Sequence, residues 1–300
     1  IMASIPTKND KMKIKVGIIG GAGYTAGELL RILLNHPQAE IVFVHSGSNA
    51  GNPITDVHGG LIGETSLTFS AEVNLESIDV LFLCSGHGKS TEFWTQHTAP
   101  AHLKMIDLAQ DFRDESNGHV YGLPELKREN IRRANRVANP GCFATAIQLA
   151  LLPLAHAKLL QSDVHVTAVT GSTGAGVKPS ATTHFSWRTD NLSVYKAFEH
   201  QHLLEINRSV KSLQPNYGKT IQFVPKRGDF ARGILAAVYT KTDLAEDDAI
   251  QLYEKFYSDA AFTFVTPRSV DLKQVVNTNK ALLHVEKHGN QLLVVSAIDN

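Results

Sequence analysis

Apolar runs alternate with amphipathic stretches through the first part of the chain. "KIKVGIIG" (13–20) reads as a buried strand. "TAGELLRILLNHP" (25–37) reads as a helix, with Leu29, Leu30, Ile32, Leu33 and Leu34 as its apolar positions and Pro37 as its stop. "AEIVFVHSGS" (39–48) and "DVLFLCSG" (79–86) are the second and third strands. "HLKMIDLAQDF" (102–112) carries a fourth, and "IRRANRVANPGC" (131–142) a short fifth. Strands separated by helices imply βαβ units and a parallel sheet with right-handed crossovers.

The texture changes after Cys142. "FATAIQLALLPLAHAKLL" (143–160) reads as a long buried helix. It is followed by β-rich runs: "DVHVTAVTGSTGAG", "TIQFVPKRGDFARGILAAVYTK", "FTFVTPRSVDLKQV", "ALLHVEKHGN" and "QLLVVSAIDN". Helical "EHQHLLEINRSVKSL" and "LAEDDAIQLYEKFYSD" interrupt them. The expected fold class is therefore α/β: a Rossmann-type, parallel-sheet dinucleotide domain over 13–141, and an α+β domain with a mixed sheet over 142–300. That boundary puts Cys142 at the seam of the two, a common place for ligand sites.

Composition narrows the function classes. A chain of 300 residues, 43% hydrophobic and 19% charged, can bury a sizeable core. Its 29 basic and 29 acidic residues cancel, so no electrostatic footprint for nucleic acid or an anionic membrane is expected. No apolar run approaches the roughly 18–20 residues that span a bilayer. The opening residues lack the apolar core of a signal peptide, and a native start at Met12 is expected. Two cysteines, Cys84 and Cys142, make neither a disulfide framework nor a metal pair, which points to a reducing, cytoplasmic location and no metal.

"VGIIGGAGYTAGELL" places Gly20, Gly21, Gly23 and Gly27 between a strand and a helix. Small residues there let the backbone approach a pyrophosphate, and the helix N-terminus offers N–H groups and the positive dipole end. An NAD-binding unit usually carries an acid at the end of its second strand. Here that strand ends "VHSGSN", and Glu40 lies at its other end. Ser46, Ser48 and Asn49 are neutral hydrogen-bonders that accept a 2′-phosphate without repulsion, which favours NADP(H), although no arginine sits in this loop.

The turn "NPGC" aims Cys142 at the start of the long helix, where a cysteine pKa falls and the thiolate becomes a nucleophile. The competing reading is a small core hydrophobe, which suits Cys84 inside "VLFLCSG". A thiolate beside a nicotinamide suggests thioester formation and hydride transfer, with a histidine as acid/base. Of fourteen histidines, His200 and His202 in "FEHQHLLEI" lead, against the ordinary reading of surface histidines. His87, His184 and His284 rank lower. Anion binders are sought in Arg113, Lys178, Arg227 and Arg232, with Arg113 and Arg232 preferred.

Taken together, "GIIGGAGYTAGELLRILLNHP", "DVLFLCSGHGKS", "IDLAQDFR", "YGLPEL", "NPGCFATA", "GSTGAG", "YKAFEHQHLLEI", "RGIL" and "SAIDN" resemble the N-acetyl-gamma-glutamyl-phosphate reductase family, in the family's order. The resemblance implies an NADPH-dependent reduction in arginine biosynthesis. Cys142 attacks N-acetyl-glutamyl 5-phosphate and expels phosphate, and the thioester is reduced to the 5-semialdehyde. It implies that the His200/His202 pair supplies the acid/base, with His202 favoured and His200 orienting substrate. It further implies cofactor contacts at Gly20, Gly23, Tyr24, Thr25, Ser46 and Ser48. Ser172 and Gly174 would lie by the nicotinamide, and Arg113 would hold the phosphate with Asn139, Arg232 and Lys178 near the substrate. A homodimer or homotetramer is expected.

The glycine turn departs from the pattern expected of the family, with Gly and Ala exchanged near the helix start, a swap that small residues should tolerate. Similar proteins continue beyond "SAIDN" through a Gly/Ala-rich helix returning to the first domain. Aspartate-semialdehyde dehydrogenases, which share the asparagine–cysteine motif, are the nearest alternative. A non-catalytic dinucleotide-binding sensor is the other. The acyl group on the glutamate nitrogen (acetyl, succinyl or a carrier adduct) stays open.

Overall fold

The structure, a computed structural model, describes residues 13–300; the expected start at Met12 lies outside them. They divide into two compact units: residues up to Gly122 with Glu129–Asn139, and Leu123–Arg128 with Pro140–Asn300.

The first unit runs β1 (Ile14–Ile19), α1 (Tyr24–Leu34), β2 (Ala39–His45), β3 (Phe69–Ser70), β4 (Val80–Leu83), α2 (Lys89–Gln96), β5 (Lys104–Asp107) and β6 (Val120–Tyr121). The second half of α3 (Pro124–Arg133) and β7 (Arg136–Ala138) complete it. All seven strands pair in parallel, in the order β3-β2-β1-β4-β5-β7-β6. The five strands expected from the pattern are present. β3 and β6, two residues each, are too short to show a period. Period-two alternation sends Val16 and Ile18 to one face, where Ala26 and Leu30 of α1 cover them with Val44 and Phe69. Ile19, Phe43, Leu81, Leu83 and Met105 pack with Phe93 and Trp94 of α2. The strand order turns back between β1 and β4, and in such sheets ligands bind beyond the carboxyl ends of the strands at that point.

The second unit takes the first half of α3 and then runs α4 (Cys142–His156), β8 (Val164–Thr170), the one-turn α5 (Phe185–Arg188), β9 (Ser193–Val194), α6 (His202–Leu213), β10 (Ile221–Arg227), β11 (Ile234–Lys241), α7 (Glu246–Phe256), β12 (Thr263–Val265), β13 (Ala281–His288) and β14 (Gln291–Ile298). The sheet order is β12-β13-β14-β11-β8-β10-β9, with parallel and antiparallel pairs. β10 and β11 are neighbours in sequence, yet β8 lies between them. "FTFVTPRSVDLKQV" is less β-rich than its residues suggest. Only Thr263–Val265 is strand, and Leu272–Gln274 forms a 3-10 turn capped by Asp271. β8 alternates buried and half-buried along its length, so one face of the sheet lies under the helices.

α4 is buried all round and forms the centre of this unit, against α6, α7 and the sheet. It carries Pro153 in its interior. Proline has no N–H, so the carbonyl four residues back loses its helix donor. That carbonyl belongs to Leu149, and the Tyr257 hydroxyl donates to it at 2.6 Å. The Tyr253 hydroxyl donates likewise to Ala150 at 2.5 Å. Both tyrosines are buried, so their hydroxyls and these carbonyls satisfy each other away from water. Tyr257→Phe is expected to destabilise the protein by about 1–3 kcal/mol in urea unfolding. The cost should shrink in a Pro153→Ala background, where the helix regains its own donor. An equal cost in both backgrounds would refute the assignment.

Candidate active site: a glycine turn and a cysteine–histidine cluster

The glycine turn follows β1. Gly20 has φ +77°, and a Cβ there would lie 2.8 Å from the Ser85 backbone nitrogen. At Gly21 a Cβ would collide with Val44. Only glycine fits either place. Gly23 is the N-cap of α1 and, lacking a side chain, leaves the helix end uncovered; the first turn holds no acid. Tyr24 and Thr25 are exposed there. Bare backbone at an uncovered helix N-terminus is a geometry that can admit a phosphate group. The Gly/Ala exchange has a specific cause. Ala26 is fully buried, whereas the backbone at Gly27 carries the His58 imidazole, 2.7 Å from where a Cβ would be. His58 Nε2 also lies 2.7 Å from the Gly21 carbonyl, bracing the turn.

After β2, Ser46 is buried and Ser48 exposed, and the Asn49 amide donates to both hydroxyls at 3.1 and 3.0 Å. Arg113 is buried and donates to the carbonyls of Asn139 (2.9 Å) and Leu108 (3.1 Å), just beyond β7 and β5. Cys84 sits beside Asp107; burial, with that carboxyl's charge, pushes its thiol up to about 12. It stays protonated and serves as packing.

In the second unit Cys142 is the first residue of α4, and no acid stands in that helix's first turn. Gly141, the N-cap, meets two other groups. Its N–H donates to Glu205 Oε2 at 2.9 Å. The His202 imidazole lies on its Cα: Nε2 is only 2.3 Å from where a Cβ would stand. His202 and Glu205 share a face of α6, with Nε2 and Oε1 4.0 Å apart. The site thus holds a cysteine at a helix N-terminus, a histidine against the preceding residue, and a buried carboxylate that accepts from the Gly141 N–H and lies 4.0 Å from the ring.

His200 lies 4.6 Å from His202, ring to ring, in an aromatic cage of Phe143 (5.5 Å), Phe223 (5.4 Å) and Tyr195 (5.8 Å). Its Nδ1 accepts the His202 backbone N–H at 3.2 Å. Burial, with the charges of Lys196 and Arg227, lowers its pKa to about 4, so the ring is neutral near pH 7.

Arg232 pairs with Asp299 through Nη2 (2.6 Å) and Nε (3.3 Å). Asn300 accepts from Gly233 N and donates to Thr170 Oγ1. A Cβ on Gly174 would meet the Asn300 amide at 2.6 Å, and the Ser172 N–H donates to the Phe230 carbonyl. The motifs "GSTGAG", "RGIL" and "SAIDN" therefore close on one another. Lys178 lies in the exposed stretch beyond. Elsewhere, His87 accepts from the Gln110 N–H, His184 caps α5, and His284 meets the Thr266 carbonyl. Among the described residues no cluster of His, Cys, Asp or Glu is suited to a metal, and no helix is long and apolar enough to cross a membrane. Sequence reasoning did not single out Glu205 or Tyr195. The signal for the first was the i, i+3 spacing "HLLE".

The chain is similar to known proteins over both units. Residues 15–134 match the family model "Semialdehyde dehydrogenase, NAD binding domain", and 142–300 match "Semialdehyde dehydrogenase, dimerisation domain". An N-acetyl-gamma-glutamyl-phosphate reductase of Parabacteroides distasonis is 59% identical over 96% of this chain and 90% of its own length. One from Christiangramia forsetii is 55% identical over the same shares. Among solved structures, aspartate semialdehyde dehydrogenase II of Vibrio cholerae, complexed with ASA, superposes with TM-score 0.72 at 15% identity, covering 97% of this chain and 94% of that one. The Candida albicans enzyme with NADP gives 0.71 at 13%, covering 95% and 93%. The chain belongs to the semialdehyde dehydrogenase family and, within it, to the N-acetyl-gamma-glutamyl-phosphate reductases.

Proposed function

We infer that the chain reduces N-acetyl-glutamyl 5-phosphate to N-acetyl-glutamate 5-semialdehyde and phosphate, the reaction its relatives are named for. The observation that carries the mechanism is the His202 ring lying on Gly141, one residue before Cys142 at the open end of α4. The helix end favours the thiolate. His202 takes the thiol proton as sulfur attacks the acyl carbon. A thioester forms, the carbon–oxygen bond to phosphate breaks, and the proton leaves with the phosphate. The glycine turn, with Gly20 and Gly23, would hold the nicotinamide dinucleotide, and that group would supply the hydride for reduction of the thioester on Cys142. The resulting tetrahedral adduct collapses to aldehyde and releases the thiolate. Glu205 orients His202 and fixes the N-cap backbone, a positioning role. His200, neutral and caged, shapes the wall of the site.

A nicotinamide dinucleotide is the cofactor class of the family. NADP is the preferred form, because Ser46, Ser48 and Asn49 offer neutral hydrogen-bonding groups after β2 and no acid. Gly20, Gly23, Tyr24 and Thr25 are assigned to the pyrophosphate end, Ser172 and Gly174 to the nicotinamide end. Arg113, Asn139 and Lys178 are assigned to phosphate and substrate. Arg232, held by Asp299, is assigned to supporting the 171–176 turn. The half-buried face of the mixed sheet, with His165, Thr167, Val169 and Ala237, is proposed to pair with a second copy; the name of the matched dimerisation domain supports an oligomer. A cytoplasmic location fits this biosynthetic role.

Three outcomes are expected. Phosphate-dependent reduction of NADP by N-acetyl-glutamate semialdehyde should be robust in the wild type and lost in Cys142→Ser, with NADP binding intact by fluorescence titration. Retained turnover would refute the nucleophile. Glu205→Gln should lower kcat roughly 10–100-fold and leave the KM for NADP unchanged, because only the support of His202 is weakened. The folded state keeps His200 unprotonated down to about pH 4, while an unfolded histidine takes up its proton below about 6.5. Its contribution is complete above pH 6.5 and is lost as pH falls toward 4, up to roughly 3 kcal/mol. Urea midpoints should drop over that window and flatten in His200→Phe. An unchanged pH slope in the variant would show that His200 is not responsible.

A further inference from the structure

Arg227 ends β10, whose alternation sets its side chain on the face of Ile221 and Phe223. That face belongs to the site, since the Phe223 ring packs on His200 (5.4 Å) and on Phe143 (5.1 Å), the residue after the nucleophile. The Arg227 guanidinium carbon lies 4.6 Å over the Tyr195 ring, and Tyr195 in turn is 5.8 Å from His200. Arg227 is thus one ring removed from the histidine pair.

What Arg227 lacks is an anion. Among the described residues no carboxylate pairs with it, and its Nε is buried with no hydrogen-bond partner. Tyr195 is no counter-charge, because burial pushes its hydroxyl up to about 12 and keeps it neutral. The adjacent Arg188 offers a contrast. It is buried and donates to the carbonyls of Thr182, Asn191 and Arg227 and to Ser193 Oγ, which accounts for its five donors. Arg188 is therefore a brace that holds the Arg227 backbone. Asp229, which lies in reach of Arg188, accepts the Asp190 N–H. A half-buried guanidinium without a counter-ion costs desolvation energy that an apolar side chain on the same face would avoid. A ligand anion offsets that cost when it binds.

We propose that Arg227, backed by Tyr195, binds the α-carboxylate of the acylated glutamyl substrate and so sets specificity for an amino acid whose carboxylate is free. The proposal rests on the function inferred above. One guanidinium matches the single charge and planar oxygen pair of a carboxylate. The reacting carbon and the α-carboxylate sit at opposite ends of the glutamyl chain. Cys142 before Phe143, and a guanidinium without a carboxylate partner beyond Tyr195, offer two separate groups for those two ends.

The test is steady-state kinetics of the reverse reaction with the full chain, using wild type, Arg227→Gln and Arg227→Lys. Each is given N-acetyl-glutamate semialdehyde and its α-carboxamide analogue. For Arg227→Gln the KM for the semialdehyde should rise about 30–100-fold, with those for NADP and phosphate unchanged and kcat within a few-fold. Arg227→Lys should fall between, having the charge without the fork. The carboxamide should cost wild type the same factor, and Arg227→Gln should handle both substrates alike. An unchanged semialdehyde KM, a rise in the phosphate KM instead, or continued discrimination against the carboxamide by Arg227→Gln overturns the proposal. A wild type inactive with the semialdehyde removes the functional reading and the proposal with it; an active wild type with indifferent variants removes the proposal alone.

Discussion

The site in the second unit depends on the contact between the His202 imidazole and the bare Cα of Gly141. Any side chain at 141 would occupy the space of Nε2. The same residue's N–H is held by Glu205, from the same helix face as His202. One carboxylate therefore links the entry of α4 to the His202 side of α6, and Cys142 is the next residue along. The rest of the unit keeps α4 and α6 in place. α4 is buried on every side, and two tyrosine hydroxyls satisfy carbonyls around its internal proline. A helix can carry a proline in the core only if something replaces the lost donor.

The two cysteines show how environment divides one chemistry into two roles. Cys84 stands at the end of a parallel strand, beside a buried carboxyl that itself resists ionisation. Low polarity and a like charge both oppose a thiolate there. Cys142 stands at the positive end of a fifteen-residue helix without an acid in its first turn. Arginines divide in the same way. Arg188 and Arg232 are occupied by carbonyls and a carboxylate and act as braces, while Arg227 has no carboxylate partner among the described residues.

The matching motifs of the second unit are also one object. Asp299 holds Arg232, Asn300 holds Gly233 and Thr170, and the glycines at 171 and 174 make room for Ala231 and Asn300. These stretches are far apart in sequence and meet along the end of β8 and β11. Their chemistry is mostly mutual support of a turn, which explains why they occur together.

The sequence by itself determined what depends on near neighbours. The periods of two and 3.6 marked five strands of the parallel sheet and the helices α1, α4, α6 and α7. The order strand–glycine turn–helix marked β1, the turn and α1, and the Pro-Gly turn before an apolar helix marked Cys142 as the first residue of α4. Only the tertiary structure decided what depends on distant partners. It interposed β8 between β10 and β11, and it gave Gly27 its reason in His58. It took Arg232 out of the open by pairing it with Asp299, and it brought Glu205 to Gly141 and Tyr195 to Arg227. Periodicity carries the face a residue occupies, because that is set by its own backbone. It carries nothing of which residue waits across the gap, because that is set by the packing of segments far away in the chain.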